Sequence, residues 1–138
     1  MRSRRVLVVD DNLEFAEVAR ELIERLEPDL EVDVAETGHE ALALLARAAL
    51  PPLFIVLDFR LPDIEAPDVL AQVRRTPGLE GVPVLVVSQG DWITDRDKAI
   101  AMGAQAFRIK PSLVGPLGDV FTEFWNEHVH TQGIADRG

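Results

Sequence analysis

The stretch VLVVDDN, residues 6–12, runs four apolar residues straight into two adjacent acids, Asp10 and Asp11. The run is far shorter than a membrane span and has no helical periodicity. It reads as a buried strand that stops at paired carboxylates. Similar apolar runs recur at residues 30–35, 54–57, 82–87 and 106–109, the second of these alternating as Leu30, Val32 and Val34.

Helical spacing fills the intervals. Phe15, Val18, Ala19, Leu22, Ile23 and Leu26 make one apolar stripe, and Ala41, Leu44, Leu45 and Ala48 a second. Val69, Leu70 and Val73 suggest a short third helix, residues 95–102 a weakly patterned fourth, and Leu117, Val120, Phe121 and Phe124 a clear fifth. Pro28, the pair Pro51 and Pro52, the pair Pro77 and Gly78, and Gly103 stand where the first four helices must end. Thr37 and Glu40 have the spacing of a capping box, and Pro116 suits the first turn of the fifth helix. The pattern is a strand–helix unit repeated five times. It predicts an α/β fold in which a five-stranded parallel sheet is covered by helices on both faces.

The 138 residues predict one domain over residues 4–129, followed by a polar, frayed tail over 130–138. There is no cysteine, which removes disulfides, thiolate metal sites and cysteine nucleophiles. A net charge of −10 disfavours direct binding to nucleic acid, whose phosphates attract cations. No apolar run approaches the ~20 residues of a membrane helix or forms a signal peptide, so a cytoplasmic location is expected. His39, His128 and His130 lack metal-ligand spacing and are expected to face solvent.

In an open parallel sheet, ligands gather beyond the carboxyl ends of the strands. Asp10 and Asp11 follow the first strand, Asp58 the third, Ser88 the fourth, and Lys110 with Pro111 the fifth. Three carboxylates, a hydroxyl and a lysine are thus expected on one rim. Clustered acids repel one another unless a cation sits among them, and an all-oxygen donor set suits Mg²⁺ or Mn²⁺.

The pieces VLVVDDN, IVLDFRLPD, VLVVSQG and GAQAFRIKP, in this order on a fivefold strand–helix pattern, resemble the receiver domain of response regulators. This is the CheY-like phosphoacceptor of two-component signalling, and the resemblance covers about residues 4–129. It implies the strand order 2-1-3-4-5. It also implies that Asp58 accepts a phosphoryl group from a sensor histidine kinase or phosphotransfer protein. Asp10, Asp11, Asp58 and the backbone carbonyl of Arg60 would then hold Mg²⁺ or Mn²⁺. Lys110 would pair with Asp58 and later with the phosphoryl oxygens, Ser88 would hydrogen-bond the phosphoryl group, and Phe107 would turn inward as the switch aromatic. The Lys110–Pro111 peptide would be cis. Output would pass to a downstream protein through the face of the fourth helix, fifth strand and fifth helix, with a homodimer as a further possibility and no role for nucleic acid or membrane.

Three positions depart from the family pattern. Ala66, before Pro67, stands where glycine is usual, and extended geometry is expected there. Gln89 replaces a small residue after Ser88, and Arg60 sits two residues beyond Asp58. Blander readings stand beside the functional ones. Asp11 and Glu14 fit a helix N-cap and its box partner, Phe107 fits plain packing, and Trp92 and Trp125 either flank a partner-binding face or cover the core. A receiver-like interaction module without the chemistry, or a receiver excised from a larger regulator or hybrid kinase, remain alternatives. An aspartyl-nucleophile phosphatase is disfavoured, since Arg60 occupies the place of its second acid. A flavin site is disfavoured because the first strand ends in acids where phosphate needs backbone donors.

Overall fold

The first strand continues for one residue before the apolar run and ends where the acids begin. The computed structural model describes residues 3–90 and 93–130. Among them the chain alternates β1 (Arg5–Val9), α1 (Leu13–Glu24), β2 (Glu31–Ala35), α2 (Gly38–Arg47), β3 (Ile55–Asp58), α3 (Ala66–Arg75), β4 (Val84–Ser88), α4 (Ile93–Ala101), β5 (Ala106–Ile109) and α5 (Val114–Phe124). A π-helical segment, Trp125–His130, continues α5. The strands pair in parallel in the order β2-β1-β3-β4-β5, so the expected fold class and strand order both hold.

Alternation along the three central strands splits the core in two. Leu7, Val9, Ile55, Leu57, Val84 and Val86 pack against α2, α3 and α4. Val6, Val8, Val56, Leu85 and Val87 pack on the opposite face against α1 and α5, whose Ile23, Leu117, Phe121 and Phe124 are buried there. This double burial explains the unbroken apolar composition of β1, β3 and β4. Trp125 belongs to the second core. It meets Phe54 edge-on at 6.1 Å and is buried, so it covers the core rather than offering itself to a partner. Trp92 lies outside the described residues, as does the tail beyond His130.

Several local readings change. The N-cap of α1 is Asn12, not Asp11: its side chain accepts the Phe15 N–H at 3.1 Å, which leaves Asp11 exposed at the rim. At α2 the Thr37 hydroxyl accepts the Glu40 N–H at 3.0 Å, while Glu40 reaches back to the N–H of Glu36. Ala48 is exposed because α2 ends at Arg47 and Ala48 turns extended. Ala66 is not extended. It opens α3, fully buried, with its N–H bonded to the Phe59 carbonyl at 3.0 Å, and the extended residue is Glu65. Proline disfavours a helical neighbour without forbidding it, and here burial and a backbone bond outweigh that preference. The described residues contain no cis peptide bond, so Lys110–Pro111 is trans, the lower-energy isomer. Among the same residues no helix is long and apolar enough to cross a membrane.

Candidate functional site

Sheet register assembles the rim. Val9 pairs with Leu57, which sets the next residues, Asp10 and Asp58, side by side. Asp58 pairs with Val87, and Ser88 pairs with Ile109, just before Lys110. The ladder runs past the strand ends, with Phe59 N–H bonded to Val87 O at 2.8 Å and Lys110 N–H to Ser88 O at 2.7 Å. Four short strands thus bring residues up to 100 positions apart onto one edge, around a cleft of about 430 Å³ lined by Asp10, Asp11, Asp58, Arg60, Ser88 and Lys110 among others.

Carboxylate oxygens of Asp10, Asp11 and Asp58 lie within 4.8 Å of one another. Asp10 is wholly buried, Asp58 is 6% exposed and Asp11 faces solvent. Lys110 answers this charge and pairs with Asp58 as expected, but it also pairs with Asp10. Its Nζ is 2.7 Å from Asp10 Oδ2 and 3.6 Å from Asp58 Oδ1, so the closer partner is Asp10. The same Nζ sits 4.4 Å from the centre of the Phe15 ring, which walls the ammonium from water. Asp10 Oδ1 accepts the N–H of Asn12 at 2.9 Å, whereas the buried Oδ2 makes no directional hydrogen bond and has only the Lys110 charge beside it. An oxygen in that state is suited to a cation, and the surrounding donors are all hard oxygens.

Burial, reinforced by the charges of Asp10 and Asp11 and opposed by Lys110, pushes the Asp58 carboxyl up to about 6. Between about pH 4 and 6 the folded state therefore holds a proton on Asp58 that the unfolded chain has released. Stability contributed by the protonated form is present at low pH and is lost as pH rises from about 4 through 6. Asp58→Asn keeps the shape and removes the buried charge. In metal-free protein at pH 7.5 it is expected to raise unfolding stability by about 1–2 kcal/mol, a figure reduced for residual solvent screening. Urea melts should show that gain vanishing near pH 4, and an equal gain at both pH values would contradict the cause given.

Ser88 is buried in the cleft, its Oγ accepting the Gly90 N–H at 3.4 Å. Phe107 is also buried, edge-on to Phe59 at 6.4 Å, with the Arg96 guanidinium 5.5 Å above its ring. Gln89 is exposed at the mouth. Arg60 lines the cleft, but its guanidinium is bonded to Glu65 and Asp95. His39 is exposed and paired with Asp63 at 2.6 Å, while His128 is half-buried against the Phe124 ring at 4.8 Å rather than facing solvent.

A family model for the response regulator receiver domain matches residues 6–118. The chain belongs to that family. A two-component response regulator of Arabidopsis thaliana, ARR17, is 31% identical over 118 residues, covering 77% of this chain and 74% of that protein. LuxO of Vibrio cholerae is 32% identical over 105 residues, which span 75% of this chain but 22% of the longer regulator. Among solved structures, the phosphorylated cyanobacterial phytochrome response regulator RcpA superposes with a TM-score of 0.81 at 23% identity, covering 92% of this chain and 94% of that one. The Mn²⁺-bound form of response regulator Rcp1 gives 0.80 at 21% identity, covering 94% and 96%. At such identities these likenesses show the fold. A receiver domain is usually a phosphoacceptor rather than an enzyme in the ordinary sense, and it implies a two-component kinase as partner in general terms.

Two features of this receiver escape sequence reasoning. Asp63 accepts the N–H groups of Gly38, His39 and Ile64, each at 2.9 Å, and thereby ties the segment after β3 to the start of α2. Burial acts to raise its pKa, but these bonds and the His39 ring outweigh it and hold the carboxyl well below the usual range. Asp95, in the first turn of α4, is 5% exposed. The weak apolar patterning of that helix, which leaves little else to anchor it, was the one available signal.

Proposed function

We propose that this receiver accepts a phosphoryl group on Asp58 from the phosphohistidine of a sensor histidine kinase or phosphotransfer protein, aided by Mg²⁺ or Mn²⁺, and signals through a face formed by α4, β5 and α5. The observation that carries this reading is the acid triad within 4.8 Å, with a buried lysine 3.6 Å from Asp58. Asp10, Asp11, Asp58 and the Arg60 carbonyl are the groups assigned to the metal. The oxygen-only donor set, in which the buried Asp10 Oδ2 is answered by the Lys110 charge alone and accepts no directional hydrogen bond, fits a hard divalent cation. When bound, that ion supplies positive charge to the oxygens of the transferred group.

The remaining work falls to the chain itself. An ionised Asp58 oxygen attacks phosphorus, the phosphorus–nitrogen bond breaks, and its electron pair returns to the imidazole. Lys110 Nζ is close enough to Asp58 to turn from the carboxylate to a phosphoryl oxygen. Ser88, lining the same cleft, donates its hydroxyl to another. Phe107, two residues before the Ile109 that pairs with Ser88, packs on Phe59 next to Asp58 and so links the acyl phosphate to β5.

The test is intact-mass labelling with acetyl phosphate. A gain of one phosphoryl group that requires both Mg²⁺ and Asp58, and is absent in Asp58→Ala, is the expected result. A labile adduct would escape this assay, so fluoroberyllate binding followed by ¹⁹F NMR is the companion measurement. Failure of both would leave a receiver fold without the reaction.

A further inference from the structure

α4 is held to the fold by little. Its described residues bury Asp95 and Ala99, while Ile93 is 70% exposed and Ile100 is 47% exposed. One of its two buried anchors is therefore a carboxylate, and the partner of that carboxylate is Arg60: Arg60 Nη2 donates to Asp95 Oδ2 at 2.9 Å. Its Nη1 donates to Glu65 Oε2 at 2.5 Å, and its guanidinium carbon lies 5.3 Å over the Phe59 ring. A backbone bridge between Arg60 and Glu65 closes this short loop on itself. The guanidinium thus leans away from Asp58 toward two acids, although Arg60 lines the same cleft as Asp58 and stands two residues from it.

We propose that Arg60 is a charge-operated latch that holds the first turn of α4 through Asp95 and lets go when Asp58 carries a phosphoryl group. The inference rests on the phosphoacceptor reading and adds to it the route by which the reaction reaches α4. An acyl phosphate brings about two negative charges and strong acceptors. Arginine matches such oxygens with two parallel donors, a better partner than one carboxylate oxygen each from Glu65 and Asp95. Once the guanidinium turns to the phosphoryl group, Asp95 is left as a buried charge without its partner. An uncompensated buried carboxylate is unstable and must regain water. The first turn of α4 opens to admit it, and the weakly anchored helix is free to shift. Arg60 is a positioning residue here: it acts on α4 through Asp95, and its backbone carbonyl keeps its separate assignment to the metal.

Hydrogen exchange read by mass spectrometry over residues 93–98 tests this, with Mg²⁺ and fluoroberyllate as the phosphoryl mimic. In the wild type, exchange there is expected to rise about tenfold on adding fluoroberyllate, as a held helix end becomes a frayed one. Asp95→Asn should exchange fast without the ligand and show no further rise, while ¹⁹F NMR shows that it still binds fluoroberyllate; Arg60→Ala should likewise exchange fast without the ligand. A merely structural Asp95–Arg60 pair would raise exchange in the variants but leave the wild type unresponsive, and that result overturns the latch. Bound fluoroberyllate with unchanged α4 exchange in the wild type does the same while sparing the phosphoacceptor reading. No fluoroberyllate binding in the wild type overturns both.

Discussion

Lys110→Met is expected to slow acetyl phosphate labelling of Asp58 by about 10²–10³-fold, the loss seen when one preorganised charge donor is taken from a developing oxyanion. Methionine replaces the stem of a side chain that is 8% exposed and removes the charge that stands 2.7 Å from Asp10 and 3.6 Å from Asp58. Three acids then face one another without a fixed cation. The Asp58 carboxyl rises further, because the main opposing influence on it is Lys110. Mg²⁺ affinity at pH 8 should move the other way. A more negative cluster attracts a divalent ion more strongly once its carboxylates are ionised, and the ammonium no longer competes for Asp10 Oδ2. Calorimetric titration with Mg²⁺ beside intact-mass labelling separates the two effects. Labelling lost with metal binding kept or improved places Lys110 in the transfer step. Parallel loss of both would instead make it a scaffold for the acids.

The second large effect concerns stability and lies far from the cleft. Arg74, at the end of α3, donates to the backbone carbonyls of Gly103 at 2.6 Å, Val82 at 2.8 Å, Glu80 at 3.2 Å and Leu79 at 3.4 Å, and to the Gln105 side-chain oxygen at 2.9 Å. That Gln105 oxygen also accepts the Val84 N–H at 2.6 Å, where β4 begins. One guanidinium therefore joins the segment after α3, the first ladder position of β4 and the segment before β5. Gly103 is needed for the approach. It adopts φ +104°, and a Cβ there would meet Arg74 Nε at 2.8 Å. Burial pushes the Arg74 guanidinium pKa down, yet arginine stays charged at neutral pH. Arg74→Ala leaves several partly buried carbonyls without a donor, and it is expected to cost about 3 kcal/mol in urea denaturation. Arg74→Lys should recover less than half of that, since a point charge cannot span carbonyls on both sides of the sheet's end. Full recovery by lysine would show that charge, not the planar fork, holds these segments.

What was legible in advance follows from periodicity. Apolar runs with no polar face mark strands buried on both sides, and stripes at helical spacing mark the helices between them, so the fivefold alternation and the parallel sheet could be read directly. The rim could be read for the same reason. Asp10, Asp11, Asp58, Ser88 and Lys110 each stand at the end of an apolar run, and strands of one sheet end on one edge. The family resemblance supplied the strand order, and the register in the structure then sets Asp10 beside Asp58 and Lys110 one residue past the partner of Ser88.

Partner choice among charged side chains was not legible. Lys110 sits nearer to Asp10 than to Asp58, Asn12 rather than Asp11 caps α1, and Arg60 leans on Asp95, which is 35 residues away in sequence. Arg74 reads as one more arginine at a helix end. Only the packed fold shows that its fork fills a gap between three segments. Hydrophobic periodicity is a property of neighbours along the chain, and sequence alone therefore determined the elements, their layers and the edge on which the acids gather. Which donor meets which acceptor depends on ångström distances between residues brought together by long-range closure, and that was decided only by the tertiary structure.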